Sequence, residues 1–350
     1  MRSGSSNGVT GLVIRKAAKR HAFAILARSR IAEIITPLLG GVGSILTFHR
    51  VLEHYDAVPF LQKDGAVTVD FLDQVVRYVR SKGYDIVTLD EAWRRVREGR
   101  SRRFVSFTFD DGYADAYTQV LPVFQRQQAP FTVYVTTGIL ERSAEFWWQG
   151  LERLILCNDE VSVPDEPRVY TCRTMAQKVN LFDFICSKCH ADMTGFRPIL
   201  ARLFENNNIG PAELLNTNML TRDQLRALAA DPLVEIGSHS VTHRPLSQLS
   251  REEARHEIQE SRRILEDLLG REVRHFCYPY GTPQMCGERE FELTRECGYT
   301  TGTINWGGNL LPAHRDRPYA LPRLNVMGRL QSLSVIALQL SGIPSLLAGR

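Results

Sequence analysis

Apolar residues in this chain recur with two periods that replace one another along its length. The run Ser44-Ile45-Leu46-Thr47-Phe48 reads as a buried strand and ends at His49-Arg50. The stretch 51–68 reads as loop. Phe71, Leu72, Val75, Val76 and Val79 fall at helical spacing and predict a helix over 69–82, closed by Gly83. A short strand (85–88) and an amphipathic helix (89–98) follow, then the apolar strand 104–109. The pattern continues with a helix over 114–127, despite Pro122, and a strand over 131–135. After a break, Thr221 caps a helix to 230 and a strand covers 233–237. Ser250 and Glu253 make a capping box for a long helix to 269, stopped by Gly270. Strand 275–278, helix 287–297 and strand 299–303 complete the series. Strands alternating with helices imply an α/β fold: a largely parallel sheet with helices outside it.

Residues 141–218 do not keep this rhythm. They hold the cluster Phe146-Trp147-Trp148, a polar stretch with Pro164 and Pro167, and helical patterns near 174–190 and 196–205. We read them as a helical insertion between barrel units. The aromatic cluster could stack against sugar rings; a hydrophobic plug under the insertion is the simpler assignment.

Polar groups gather just past the strand ends. His49 follows the first strand, Asp110-Asp111-Gly112 the strand 104–109, and His239-Ser240-Val241-Thr242-His243 the strand 233–237. A further strand ends in Tyr278-Pro279-Tyr280-Gly281. In a parallel barrel these ends open on one face, where active sites are built. Asp111, His239 and His243 form a mixed nitrogen and oxygen ligand set for a divalent transition metal, with one position left open for water. Asp110 points away from its neighbour in an extended strand end and is free to remove a proton. His49 is the candidate acid for a leaving amine, and the Tyr280 backbone N–H a candidate oxyanion donor. Two histidines and one carboxylate also suit iron(II) in oxygenases, but the second aspartate favours hydrolysis.

At 350 residues, 43% hydrophobic and 23% charged, the chain has the profile of a soluble globular protein. A net charge of +4 and the lack of a strongly basic motif give no ground for a nucleic-acid partner. Seven cysteines, an odd and scattered set, do not form a disulfide framework and lean towards a reducing compartment. Cys186-Ser187-Lys188-Cys189-His190 matches the spacing for c-type haem attachment, but it lies in a helical pattern and reads as chance spacing. Residues 11–39 mix arginines and lysines with isoleucine, leucine and phenylalanine. They lack the unbroken apolar run of a signal peptide and are read as a basic amphipathic helix, packed on the barrel or touching an anionic membrane surface. No run of eighteen apolar residues occurs. The expected location is the cytoplasm, with peripheral contact at the inner membrane through residues 11–39.

The motifs Phe107-Thr108-Phe109-Asp110-Asp111-Gly112-Tyr113, His239-Ser240-Val241-Thr242-His243 and Tyr278-Pro279-Tyr280-Gly281 resemble those of the polysaccharide deacetylases, the NodB-homology group of carbohydrate esterases. The resemblance spans roughly 44–325. It implies a distorted (β/α)7 barrel that removes acetyl groups from N-acetylated sugars with zinc or another divalent cation (cobalt, nickel or manganese). On that resemblance Asp110 is the base and Asp111, His239 and His243 are the metal ligands. Pro279 and Tyr280 shape the acetyl pocket. Many members carry an arginine two residues before that proline, paired with an acidic residue before a tryptophan. Here these positions hold Cys277 and, in Ile304-Asn305-Trp306, Asn305. Arg323, in Leu321-Pro322-Arg323, is the candidate replacement. Tyr113 and Trp306 are candidates for substrate contact or support of the site. His49 resembles the early histidine of exopolysaccharide-deacetylase-like members.

The resulting division is an arm at 1–43, a barrel at 44–328 with an insertion at about 141–218, and a C-terminal tail or helix at 329–350. The expected substrate is an acetylated polysaccharide, a chitooligosaccharide-like oligosaccharide or a glycolipid. The alternative is a carbohydrate-binding protein of the same fold with impaired catalysis, motivated by the missing arginine pair.

Overall fold

A computed structural model describes Thr36 and residues 39–55, 61–99, 102–210 and 218–347. The basic segment 11–39 therefore lies almost wholly outside the described residues. Its strands are β1 (Gly43–Phe48), β2 (Arg50–Leu52), β3 (Ala66–Thr68), β4 (Asp85–Ile86), β5 (Phe104–Phe109), β6 (Phe131–Val135), β7 (Glu160–Ser162), β8 (Val169–Thr171), β9 (Val234–Ser238), β10 (His275–Cys277), β11 (Thr301–Gly307) and β12 (Leu321–Asn325). Seven of them close a parallel barrel in the order β1, β12, β11, β10, β9, β6, β5, with β5 returning to β1. On the flank of β5 that meets β6 at Thr108 and Phe109, β4 pairs lower down, at Phe104 and Val105.

Around the barrel lie α1 (Val69–Ser81), α2 (Leu89–Glu98), α3 (Leu121–Gln127), α7 (Arg222–Ala230), α8 (Arg251–Leu269) and α9 (Glu288–Glu296). The insertion supplies α4 (Trp147–Cys157), the β7–β8 hairpin, α5 (Met175–Ala191) and α6 (Met193–Asn206). The chain ends in α10 (Leu333–Leu340) and α11 (Ile343–Leu347). Among the described residues no helix is long and apolar enough to cross a membrane.

The helix starts follow from side-chain chemistry. Thr68, Thr88, Thr221 and Ser250 each accept the N3 backbone N–H, and at Thr221 and Ser250 a Gln or Glu returns the bond. Gly270 ends α8 in the left-handed region. The expected helix over 114–127 instead begins with a π-helical turn, Ala116–Val120; α3 then starts with Pro122 in its first turn, where a missing N–H costs nothing. The stretch expected as loop, 51–68, contains β2 and β3, which pair in parallel from Arg50↔Ala66 to Leu52↔Thr68. Three-residue strands are too short to show alternation. The last expected strand, 299–303, starts later and runs to Gly307 through an irregularity opposite β12.

Strand alternation decides what the barrel encloses. Ile45, Phe104, Tyr134, Cys277 and Leu321 share one buried cluster with Leu89, Ala92, Trp93 and Val96, the apolar face of α2. These residues are the inward set. The residues an even number of positions further along the same strands then reach the opposite mouth. Gly237 belongs to this inward parity because a Cβ there would sit 2.5 Å from the Tyr134 ring.

At the α2 end the inward His275 is buried. Its Nε2 lies 3.2 Å from Asp90 Oδ1 and 3.3 Å from Glu235 Oε1. Burial disfavours the imidazolium, but Glu235 and Asp90 outweigh it and hold the group at about 9, against 6.5 for a free histidine. A raised folded value means that this contribution to stability is full below 6.5 and is lost as the pH rises through 9. Stability should fall by at most about 1.4 kcal/mol per pH unit in that window. Urea unfolding of the protein and of His275→Gln between pH 6 and 9.5 checks this; an equal slope in both removes His275 as the cause.

Candidate metal and active site

The inward parity of the strands delivers five groups to the far mouth: His49 after β1, Asp110 after β5, His239 after β9, Asn305 on β11 and Arg323 on β12. Together with Asp111, His243 and Tyr280 they line a cavity of about 640 Å³. Asp111 is out of step with this alternation. An extended backbone would turn it away, and a left-handed φ of 77° brings it back. Ser240 (64°), His243 (65°) and Tyr280 (61°) hold the same uncommon conformation. Half of the non-glycine residues with positive φ among those described sit within these motifs. Gly112, at φ 86°, completes the Asp-Asp-Gly turn, and a Cβ there would meet Ile139 at 2.9 Å.

Asp111 Oδ1 lies 3.4 Å from His239 Nε2 and 3.3 Å from His243 Nε2, and all three side chains are buried. A tetrahedral ion with bonds of about 2.0–2.1 Å spaces its ligand atoms by about 3.3 Å, so the donor set fits a divalent metal. The tautomer fits as well. His239 Nδ1 lies 2.7 Å from the Cys277 carbonyl, so it donates there and leaves the Nε2 lone pair facing Asp111. Burial would raise the Asp111 carboxyl; with Nε2 protons on His239 and His243 in place of an ion, both rings donate to it and hold it far below the usual range.

The loop carrying His243 is fastened from beneath. Glu257, buried on α8, accepts the Val241 and Thr242 backbone N–H groups at 2.9 and 2.8 Å and the Thr242 hydroxyl at 2.6 Å. The His243 N–H donates to Ser240 Oγ at 3.0 Å. From above, the rings of Tyr280, Trp148 and Phe146 stand 4.9, 5.0 and 5.3 Å from the His243 ring. The aromatic cluster is thus a plug for the insertion whose Trp147 and Trp148 also face the cavity.

Asp110, beside the ligand triad, is clamped by Arg323. Nη1 and Nη2 of the guanidinium donate to Oδ1 and Oδ2 at 2.8 and 2.7 Å, a bidentate pair with both partners buried. Arg323 also donates to Thr108 Oγ1 at 3.1 Å and lies over the Tyr134 ring at 5.6 Å. Burial alone would raise the Asp110 carboxyl; the Arg323 charge overrides it and keeps it below the ordinary value. Cys277, at the position where an arginine was missed, fills the adjoining space with its Sγ 2.9 Å from Arg323 Nη2.

The remaining candidates divide. Tyr113 is buried at the cavity wall, accepts Trp148 Nε1–H at 3.2 Å and carries the Arg50 guanidinium over its ring at 4.8 Å. Arg50 in turn donates to Asp115 at 2.9 Å, tying the residue after His49 to the Asp-Asp-Gly turn. Burial raises Asp115 to about 6, with Arg50 opposing. Pro279 accepts the Gly281 N–H at 2.7 Å, a three-residue turn centred on Tyr280. The Tyr280 N–H has no partner among the described residues. Trp306 is not a cavity residue: alternation on β11 turns Asn305 inward and packs Trp306 with the outer core.

The sequence pattern of the polysaccharide deacetylases matches residues 97–166 and 175–302. The chain belongs to the polysaccharide deacetylase family. No curated protein matches it in sequence. Among solved structures it is similar to the deacetylase PplD of Streptococcus pyogenes, determined with acetate (TM-score 0.56, 16% identity, 85% of this chain and 97% of that one). It is also similar to IcaB of Ammonifex degensii (0.54, 17%, 85% and 97%). A third is the BpsB deacetylase domain of Bordetella bronchiseptica (0.50, 18%, 82% and 96%). At these identities the likeness is one of fold. Within the family fold, Glu257 and Asp115 are the supports that sequence reading missed. Of the two, Glu257 left a signal: an acidic residue on the apolar stripe of α8, three residues from Ala254 and four from Ser261.

Proposed function

We propose that this chain is a metal-dependent hydrolase that removes acetyl groups from N-acetylated sugars of a polysaccharide, oligosaccharide or lipid-linked glycan. The observation that carries this reading is the pairing of two units on one cavity floor: the Asp111–His239–His243 triad and, beside it, the Asp110–Arg323 clamp. The triad would hold the ion, with zinc the first choice for two imidazoles and a carboxylate and cobalt, nickel or manganese as substitutes. When bound, such an ion acidifies water and polarises an acyl oxygen. Asp110, kept ionised by Arg323, takes the proton of the attacking water. The unpaired Tyr280 N–H donates to the oxygen that gains charge. His49 delivers a proton to the departing sugar amine as the carbon–nitrogen bond breaks, leaving acetate and a free amine.

Acetate release from a panel of N-acetylhexosamine oligosaccharides tests the reading, with metal content measured on the same sample. Stripping the ion with a chelator should lower release at least 100-fold, and added zinc or cobalt should restore it. Release that persists after the metal has fallen well below one ion per chain would overturn metal dependence. Redox-inert metal in active protein also separates this reading from an iron oxygenase. The non-catalytic alternative was motivated by the lost arginine pair, and Arg323 in contact with Asp110 removes that motive.

A further inference from the structure

The Cys186–His190 motif was set aside as chance spacing for haem. Cys189 is wholly buried and packs in the main core, which accounts for one of its residues. Its neighbours point elsewhere. Asp183, Cys186 and His190 recur at intervals of three and four residues, so they lie along one stripe of α5. All three line the same cavity as the metal triad.

His190 is the most informative of them. Its ring stands 5.9 Å from the Tyr280 ring and 6.1 Å from Trp147. Tyr280 is itself 4.9 Å from His243, so His190 is two ring contacts from a metal ligand. It is exposed at the cavity rim, and its nitrogens have no hydrogen-bond partner among the described residues. The wall beside it lowers its affinity for protons and so favours the neutral imidazole, which has one N–H donor and one acceptor nitrogen. A sugar hydroxyl, which also donates and accepts, is the complementary group. Trp147 Nε1 donates to the Tyr280 hydroxyl at 3.1 Å, so indole and phenol hold each other beside His190 as a fixed apolar surface.

We infer that α5 of the insertion forms a sugar subsite. In it, His190 hydrogen-bonds a hydroxyl of a hexosamine ring that rests near Trp147 and Tyr280, next to the acetyl-bearing position. This rests on the deacetylase reading and extends it: the insertion selects glycans by the ring and hydroxyls around the acetyl group. His190 is a positioning residue, too far from the triad to touch the reacting bond.

The test compares His190→Ala and His190→Gln with the unaltered protein on two probes. One is the panel of N-acetylhexosamine oligosaccharides; the other is p-nitrophenyl acetate, an acetyl ester without a sugar. On the best oligosaccharide, His190→Ala should raise KM about 10-fold with kcat changed less than threefold, as loss of one hydrogen bond to substrate predicts. His190→Gln should recover part of that loss. Activity on p-nitrophenyl acetate and the metal content should stay unchanged in both variants. An unaltered KM in His190→Ala on oligosaccharide overturns the subsite, as does an equal loss on both probes. No acetate release by the unaltered protein from any oligosaccharide overturns the deacetylase reading itself.

Discussion

Asp110→Asn should release acetate some 10²–10⁴ times more slowly than the unaltered protein, the usual worth of a positioned general base. The substitution keeps the shape of the side chain and removes its ability to take a proton. The loss should fall on kcat rather than KM, because the Asp110 carboxylate faces Arg323 and the cavity floor and has no assigned role in holding the sugar. Metal content should stay near one ion per chain, since the three ligand atoms belong to Asp111, His239 and His243. The variant also leaves a buried guanidinium facing an amide, so its thermal midpoint should drop, and far-ultraviolet circular dichroism must show it folded at the assay temperature. Full activity in folded, metal-loaded Asp110→Asn would move the base elsewhere. Asp111→Asn is the contrasting case, expected to lose both metal and activity.

Much of this arrangement was legible because strand alternation is a strict rule. Once Phe104, Ser106 and Thr108 are known to face inward, Asp110 must face inward too, and the same counting places His49, His239 and Asn305. Helix caps were equally legible: Thr221 with Gln224 and Ser250 with Glu253 mark helix starts within a residue. Asp111 illustrates the limit. Its left-handed backbone reverses what alternation predicts, and only the turn chemistry of Asp-Asp-Gly hints at it. Trp306 is the opposite case: the rule applied and turned its ring out of the cavity, where the motif alone had suggested a place at the site. The strand β12 escaped notice because Pro322 and Arg323 interrupt an already short run. A proline and a buried charge argue against a central strand unless the charge has a partner, and that partner lies 213 residues away in the chain. Long-range pairing of this kind has no local signature.

That partnership sets the second large expectation. Arg323→Met, close in length and without charge, should destabilise the protein by about 3–5 kcal/mol at neutral pH, because it leaves the Asp110 carboxylate buried and unpaired. The pH dependence carries the sign. In the unaltered protein Asp110 is held below its ordinary value, so its contribution to stability is present above about 4 and is lost only as the pH falls through the lowered folded value. Without the guanidinium, burial is left as the leading influence and the folded value rises above the unfolded one. The sign then reverses: as the pH falls from 7 towards 5 the variant should gain more stability than the unaltered protein, the gains from Asp115 and His275 being common to both. The acid limb of kcat should move to higher pH in the same variant, because the base must lose its proton to act. Arg323→Lys retains the charge but not the two parallel hydrogen bonds, and should fall between the two. Melting curves and pH–rate profiles of the three proteins separate this from a packing defect. A cavity or a clash would lower stability by a similar amount at every pH and leave the acid limb where it was. That outcome would reduce Arg323 to a structural ion pair and return the question of what keeps Asp110 ionised to whatever ion the Asp111–His239–His243 triad holds.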